Sequence, residues 1–588
     1  MRSINKIIPT LALILTTTSV FSQKDSSLVK EVEVIKAYQP SITNAIKINT
    51  SPNITDTANY SPVFDYKISS TLIPVKKTIT KLPVVQLGNP PKTHHNTGFI
   101  KGGIGNAYTP YAEIFVNASP TKTTDFGLHL FHYSAWPSVK LNNELRVKTP
   151  YSQNTASIFM KNYFRRAVLE WNINYDRNRF DYYGFPGTDS LLYRDTEKLS
   201  TTLNKKQVLN NAYTNFRLRS LSPRSKFVHN TLLGYNYFWN ITGQSSHHGY
   251  FDGSYSLEMK KFNLLIDSKV DYFYQDSTAN CYSLEVSNHQ FVYAGLSPAA
   301  EFNWSNIYLK AGLNLAGIFD DDSSATLHIS PNINFEYYPI KNVLTLFAGT
   351  NGKLSSNHYK MMTEINPYID PYQELRPSQE YISFFGGFKG KISRKIAYLI
   401  DVNYSINGNI PFYYLNMIKY ANGSNDVVNV FGVKYSNLNT LRFGGNIRYS
   451  SEKINIALAG NYYNHSADDI QVITHLPSFD ATLSTSLQIT EKIKASFDAS
   501  VIGPRKGEVE ICTYNYKKEE LLIDNPVYTT EYHDLKTIID INLGGEYQFS
   551  NKLNFFINVS NLLNQNYENW HGYNSQGIHF LIGARYIF

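Results

Sequence analysis

The sequence predicts an all-β protein, a transmembrane antiparallel β-barrel of about 22 strands with short periplasmic turns and long extracellular loops. Three observations predict it. Segments of roughly ten residues alternate apolar and polar side chains. The connections between them are by turns short and long. The composition carries 45 Tyr and 34 Phe against 6 Met and 2 Cys. Aromatic and β-branched residues suit strands, and amphipathic rings collect at membrane–water interfaces.

The first element is residues 1–22, beginning "MRSINKIIPTLALILTTTSVFS". Arg2 and Lys6 precede an apolar run from Ile7 to Val20, and Val20 and Ser22 suit a cut ahead of Gln23. This is the pattern of a secretory signal peptide, so the mature protein is expected to be exported. Beyond it no run approaches the roughly 20 apolar residues of a membrane helix. The formal charge is +8, with basic residues scattered, so no stripe points to nucleic acid.

Residues 23–96 are expected to form a periplasmic segment, and residues 97–588 the barrel. The stretch "TIIDINLGGEYQFSNKLNFFINVS" shows the repeating unit. Ile539, Ile541, Leu543, Gly545 and Tyr547 share one face; Asp540, Asn542, Gly544, Glu546 and Gln548 share the other. A tight Ser-Asn-Lys turn follows, then Leu553, Phe555, Ile557 and Val559 alternate with Asn554, Asn558 and Ser560. Short polar turns fall near Thr121, Arg165, Pro223, Lys261, Ser305, Lys341, Arg394, Glu452, Glu491 and Asn551. Long connections such as 187–205, 354–379 and 508–533 lie between them. A kelch-type propeller would fit four short strands into a comparable repeat, whereas each interval here holds two long ones.

The last strand has one wholly apolar face, formed by Ile578, Phe580, Ile582, Ala584, Tyr586 and Phe588. A closed barrel has no free edge, and every outward side chain meets hydrocarbon, which accounts for that face. The polar faces give candidate lumen residues: Asp540, Glu546, Asn558 and Arg585.

These residues resemble the TonB-dependent receptor barrels, particularly those of the Bacteroidota. The ending "NVSNLLNQNYENWHGYNSQGIHFLIGARYIF" is similar to the last two strands of such receptors. The resemblance implies that Phe588, with Tyr586, Ala584, Ile582 and Phe580, forms the signal read by the barrel-assembly machinery. Asn366, Pro367, Leu375, Pro377 and Ser378 resemble a loop and strand common in the middle of these barrels. Glu31, Val32, Glu33, Val34 and Ile35 resemble the TonB box; an amphipathic periplasmic strand or linker is the other reading. The N-terminal part departs from the family, because residues 23–96 are too few for a full plug domain and carry no Gly-rich, strand-dense stretch. The segment is therefore expected to be a vestigial plug or a linker.

Little in the sequence suggests chemistry, and no catalytic residue, cofactor or metal site is expected. Asp320, Asp321 and Asp322 lie in a predicted outer loop without the spacing of a calcium-binding loop. The His94–His95 and His247–His248 pairs lack a second ligand pair for zinc. No spacing marks a nucleophile elbow. Cys281 and Cys512 both fall in predicted loops, and a bridge between them stays open. Two functional classes remain. One is a receptor or uptake barrel in the bacterial outer membrane, with TonB or another envelope protein as partner. The other is a plug-less structural or assembly subunit of an outer-membrane complex. Either way the lumen is expected to be occluded, since an unobstructed barrel of this size is an aqueous channel.

Overall fold

The computed structural model describes residues 97–588 apart from 143, 185–205, 278–288, 322–324, 421–424 and 515–526. The leader, the segment Glu31–Ile35, Cys281 and Asp322 lie outside the described residues. Twenty-four strands share one hydrogen-bonded sheet. Two of them, Arg505–Tyr514 and Val527–Leu535, form a hairpin outside the wall, and the other 22 make a closed antiparallel barrel.

Closure is by pairing of the first strand, Gly98–Gly105, with the last, His579–Ile587, in a register that sets Gly102 opposite Ala584. At the short-turn rim the Phe588 carbonyl accepts from the Thr97 and Gly98 amides at 2.7 and 3.1 Å. All ten turns anticipated as short join neighbouring wall strands, and short turns mark the periplasmic end of such barrels. Not every connection at the other end is long: residues 106–108 and 241–243 are tight turns too. The stretch 508–533, expected as an irregular connection, contributes the outer hairpin, which places Cys512 on a strand rather than in a loop.

Alternation sorts the side chains as the pleat dictates. Ile329, Leu458, Ile557 and Ile582 are exposed on the outer face, where hydrocarbon takes the place of a core. Aromatic pairs sit near both ends of that face. Towards the short turns, Phe302 stacks on Trp304 and Phe227 on Tyr255. Towards the loops, Tyr237 stacks on Trp239 and lies against His247. The strands at the seam are the shortest in the wall, 8 residues in Gly98–Gly105 and Leu553–Ser560. Above them, exposed Tyr108, Leu562, Leu563 and Ile578 continue the apolar surface on the loops.

Candidate functional site at the outer mouth of the barrel

The inner wall at the seam gathers Glu546, Asn558 and Arg585. Arg585 Nη2 donates to Glu546 Oε1 at 2.5 Å, and Asn554 Nδ2 donates to the same oxygen at 2.6 Å. Lys101, one strand further round, lies 4.5 Å from the centre of the Phe556 ring and 4.9 Å from that of Tyr111. Gly583 leaves room for Phe556, since a Cβ there would stand 2.4 Å from the ring edge. Asp540 lies nearer the mouth on the same strand as Glu546 and accepts from Asn542. Glu546, Asn554 and Arg585 form a hydrogen-bonded brace at the closing seam, and the buried Asn558 side chain beside them has no hydrogen-bond partner among the described residues. On the opposite face of the last strand, Phe580, Ile582, Tyr586 and Phe588 are exposed and Ala584 is half-buried.

The densest apolar packing lies at the loop end. The connection between the thirteenth and fourteenth wall strands carries a short helix, α1 (Tyr359–Ile365), capped at its start by His358 and followed by Asn366, whose side chain accepts from the Tyr368 amide. The helix lies against wall strands well away from its own. Tyr359 packs edge-on to Phe238, and the His358 ring stacks on Phe273 at 4.8 Å. Burial holds the His358 imidazole down at about 3, consistent with its accepting from the Met361 amide.

A second long connection, 561–578, joins the last two wall strands. Asn561 folds it: φ is +48°, the side-chain oxygen accepts from the Gln565 amide, and the side-chain nitrogen donates to the Gln565 and Gln576 carbonyls. From there Tyr573 stacks on Tyr368 at 3.6 Å between ring centres and meets Tyr183 edge-on at 4.9 Å. Its hydroxyl donates to the Asn429 carbonyl. Tyr183 follows the fifth wall strand and Asn429 belongs to the sixteenth, so loops rooted on opposite sides of the barrel meet at one tyrosine. They roof the mouth. Met362, Ile369, Phe431 and Leu415 are fully buried beneath it.

Beside Tyr573, Trp570 and His571 of the same loop dock on the outer hairpin. Arg505 donates to the Glu568 and Asn569 carbonyls at 2.7 and 3.0 Å. His475 lies tilted against Trp570 at 4.9 Å between ring centres, and its Nε2 accepts from the His571 amide. The His571 ring lies parallel to His533 at 4.6 Å and directly over Gly507, where a Cβ would stand 2.6 Å from that of His571. Burial, reinforced by Arg505, holds His475 well below the usual imidazole range. Burial likewise brings Arg505 down to about 10 and pushes the Asp370 carboxyl up.

Asp320 ends a wall strand, with Asp321 in the turn beyond it. The pair His247–His248 is split by strand alternation: His247 faces outward among aromatics, and His248 faces inward 3.2 Å from Asp271. Among the described residues no group of three or more His, Cys, Asp or Glu could hold a metal ion. The sequence did not single out Trp570, Tyr573, Arg505 or His475. A usable signal was present in "HGYN" and "NPYIDPY", which are too aromatic for solvated loops.

No protein-family model and no curated protein matches the sequence. Solved structures do match in fold. The pyoverdine outer membrane receptor FpvA of Pseudomonas aeruginosa superposes with a TM-score of 0.61 at 11% identity, over 85% of this chain and 79% of that one. The siderophore receptor PirA of Acinetobacter baumannii gives 0.59 at 10% identity, over 85% and 81%. The ferric-catecholate import receptor Fiu of E. coli K12 gives 0.58 at 10% identity, over 84% and 82%. The protein is a bacterial outer-membrane β-barrel. The barrel shares its fold with these receptors at an identity that carries no ligand with it.

Proposed function

We propose that the protein is an outer-membrane receptor for uptake, in which a substrate is engaged by the roof loops and passes through the lumen. The observation that carries this reading is the roof itself. Tyr573, Tyr368 and Tyr183 lock loops from opposite walls into one aromatic cluster, so a ligand that binds any of these loops acts on all of them. A receptor needs that coupling, and a passive pore has no use for it. The likeness in fold to a ferric-catecholate import receptor and a siderophore receptor supports an uptake role without choosing the cargo.

In this reading residues 23–96 act from the periplasmic side, where Thr97 enters the wall. They either plug the lumen or present Glu31–Ile35 to TonB or another envelope partner. Phe588 and the alternating residues before it would direct assembly of the barrel. The second reading is a plug-less subunit of an outer-membrane complex. It is favoured by the outer hairpin, whose strand Val527–Leu535 is exposed over its first five residues.

Single-channel conductance in a planar bilayer distinguishes the readings, with the full chain measured beside a version lacking residues 24–95. A closed full chain and a strongly conducting deletion make the segment a plug and support uptake. Equal conduction by both means that the segment does not plug the lumen, and the subunit reading takes the lead. If neither conducts, the roof is the barrier, and residues 566–574 become the next deletion.

A further inference from the structure

The cluster that docks loop 561–578 on the outer hairpin has an unusual make-up for a buried joint. It contains three imidazoles and a guanidinium, and the Glu568 and Glu531 carboxylates lie 3.4 and 3.7 Å from His571 and His533. His571 and Arg505 are buried, and His475 is half-buried. The His475 Nδ1, His571 Nε2, Arg505 Nε and Trp570 Nε1 atoms have no hydrogen-bond partner among the described residues. These atoms are donors, or become donors on protonation.

We propose that this cluster is a proton-released latch: protonation of His475 and its neighbouring imidazoles frees loop 561–578 from the outer hairpin and loosens the roof that Tyr573 completes. A proton on His475 would sit beside Arg505 and against Trp570, on a ring whose Nε2 is already committed to accepting from the His571 amide. That acceptor is lost once the ring is an imidazolium, because both nitrogens then donate.

The surroundings decide the sign. Strand Arg505–Tyr514 brings Arg505, Lys506 and Glu508 to the joint, and strand Val527–Leu535 brings His533, Glu531 and Asp534. Loop 561–578 brings Glu568, whose carboxylate lies 3.4 Å from His571 Nδ1. Strand Asn425–Ser450 brings Lys434, and strand Ile396–Tyr420 brings Tyr413. Several of the carboxylates are already engaged: Glu508 with Lys434, and Asp534 with Lys506. Burial first, then Arg505 and His571, lower His475; burial first, then His571, lowers His533. A histidine whose value is lower in the closed state binds its proton more readily in the open one. The closed state therefore loses stability as pH falls below the ordinary imidazole value of about 6.5. It keeps losing stability until the lowered value is reached, by up to about tenfold per pH unit for each such imidazole.

The test is hydrogen–deuterium exchange of the full chain in lipid nanodiscs, at about pH 7.5 and about pH 5.5, corrected for intrinsic exchange. The peptide spanning 566–574 is expected to lose roughly tenfold of its protection at the lower pH, while the wall strand Ile454–Ala467 keeps its own. His475→Phe keeps an aromatic ring against Trp570 without the proton site, so its protection should depend less on pH. His533→Phe removes the second imidazole that burial holds low, so its loss of protection at the lower pH should be smaller than in the unaltered protein. Equal protection of the unaltered protein at both pH values would overturn the latch, and so would the same loss in His475→Phe. Should His475→Phe fail to migrate as a folded barrel on a heat-modifiability gel, His533→Phe decides: an undiminished loss of protection counts against the proposal.

Discussion

At the scale of single residues, a few side chains do work that composition cannot reveal. Glu546 is a plain polar position in an alternating strand, yet it receives both Arg585 and Asn554 where the barrel closes on itself. Removing one partner of a buried ion pair leaves the other charge uncompensated and typically costs 3–5 kcal/mol. Glu546→Ala should therefore destabilise the barrel by about 3 kcal/mol, read from the urea midpoint of folding into vesicles. Glu546→Gln, which retains an acceptor for Asn554, should lose less. The alternation of "INLGGEYQ" was enough to put Glu546 on the polar face, but the partner lies some forty positions away in sequence, on a strand that becomes its near neighbour only after the sheet has formed. Gly507 is another such case: its meaning comes from His571, which lies over it.

At the scale of elements, the wall was largely legible and the roof was not. Wall strands are specified by a local rule, the two-residue period, and the polar turns that interrupt it are local too. All ten short turns could therefore be placed from neighbouring residues alone. The roof depends on contacts between residues hundreds of positions apart, such as Tyr183 with Tyr573, for which no local pattern exists. The abundant tyrosines were read as a membrane belt. Some do serve there, while Tyr183, Tyr359, Tyr368 and Tyr573 went into the mouth cluster. Helix α1 has its own test. Met362 is 0% exposed, and truncating such a residue costs about 2–5 kcal/mol. A seven-residue helix has no stability of its own to set against that. Met362→Ala is therefore expected to release the helix from the wall while the barrel stays closed. Limited proteolysis should then cut within 356–377 in a protein that still migrates as a folded barrel. Loss of folded migration would show that the roof and the wall form one cooperative unit.

At the scale of the whole molecule, the barrel is stable because it has no edge and because its two faces meet different solvents. The outward face must stay apolar, whereas the inward one accepts polar groups if they find partners. Leu458, the fifth residue of Ile454–Ala467, is 49% exposed, and an arginine facing lipid costs up to about 2–4 kcal/mol at the bilayer midplane. Leu458→Arg is expected to lower stability by that amount in vesicle-folding measurements. Thr482→Arg, on the inward face of the adjoining strand, should cost distinctly less. Equal penalties would mean that the two faces do not differ in polarity.

The short strands at the seam have a consequence for the lipid. Leu562, Leu563 and Ile578 carry the apolar surface upward where the wall is low, and all three belong to the connection that also bears Tyr573. One flank of the roof is thus moored in acyl chains and the other in protein. A change in bilayer thickness, which a rigid wall would absorb by tilt or by local deformation of the lipid, here pulls on a loop. The leaflet around the barrel becomes a mechanical input to its mouth.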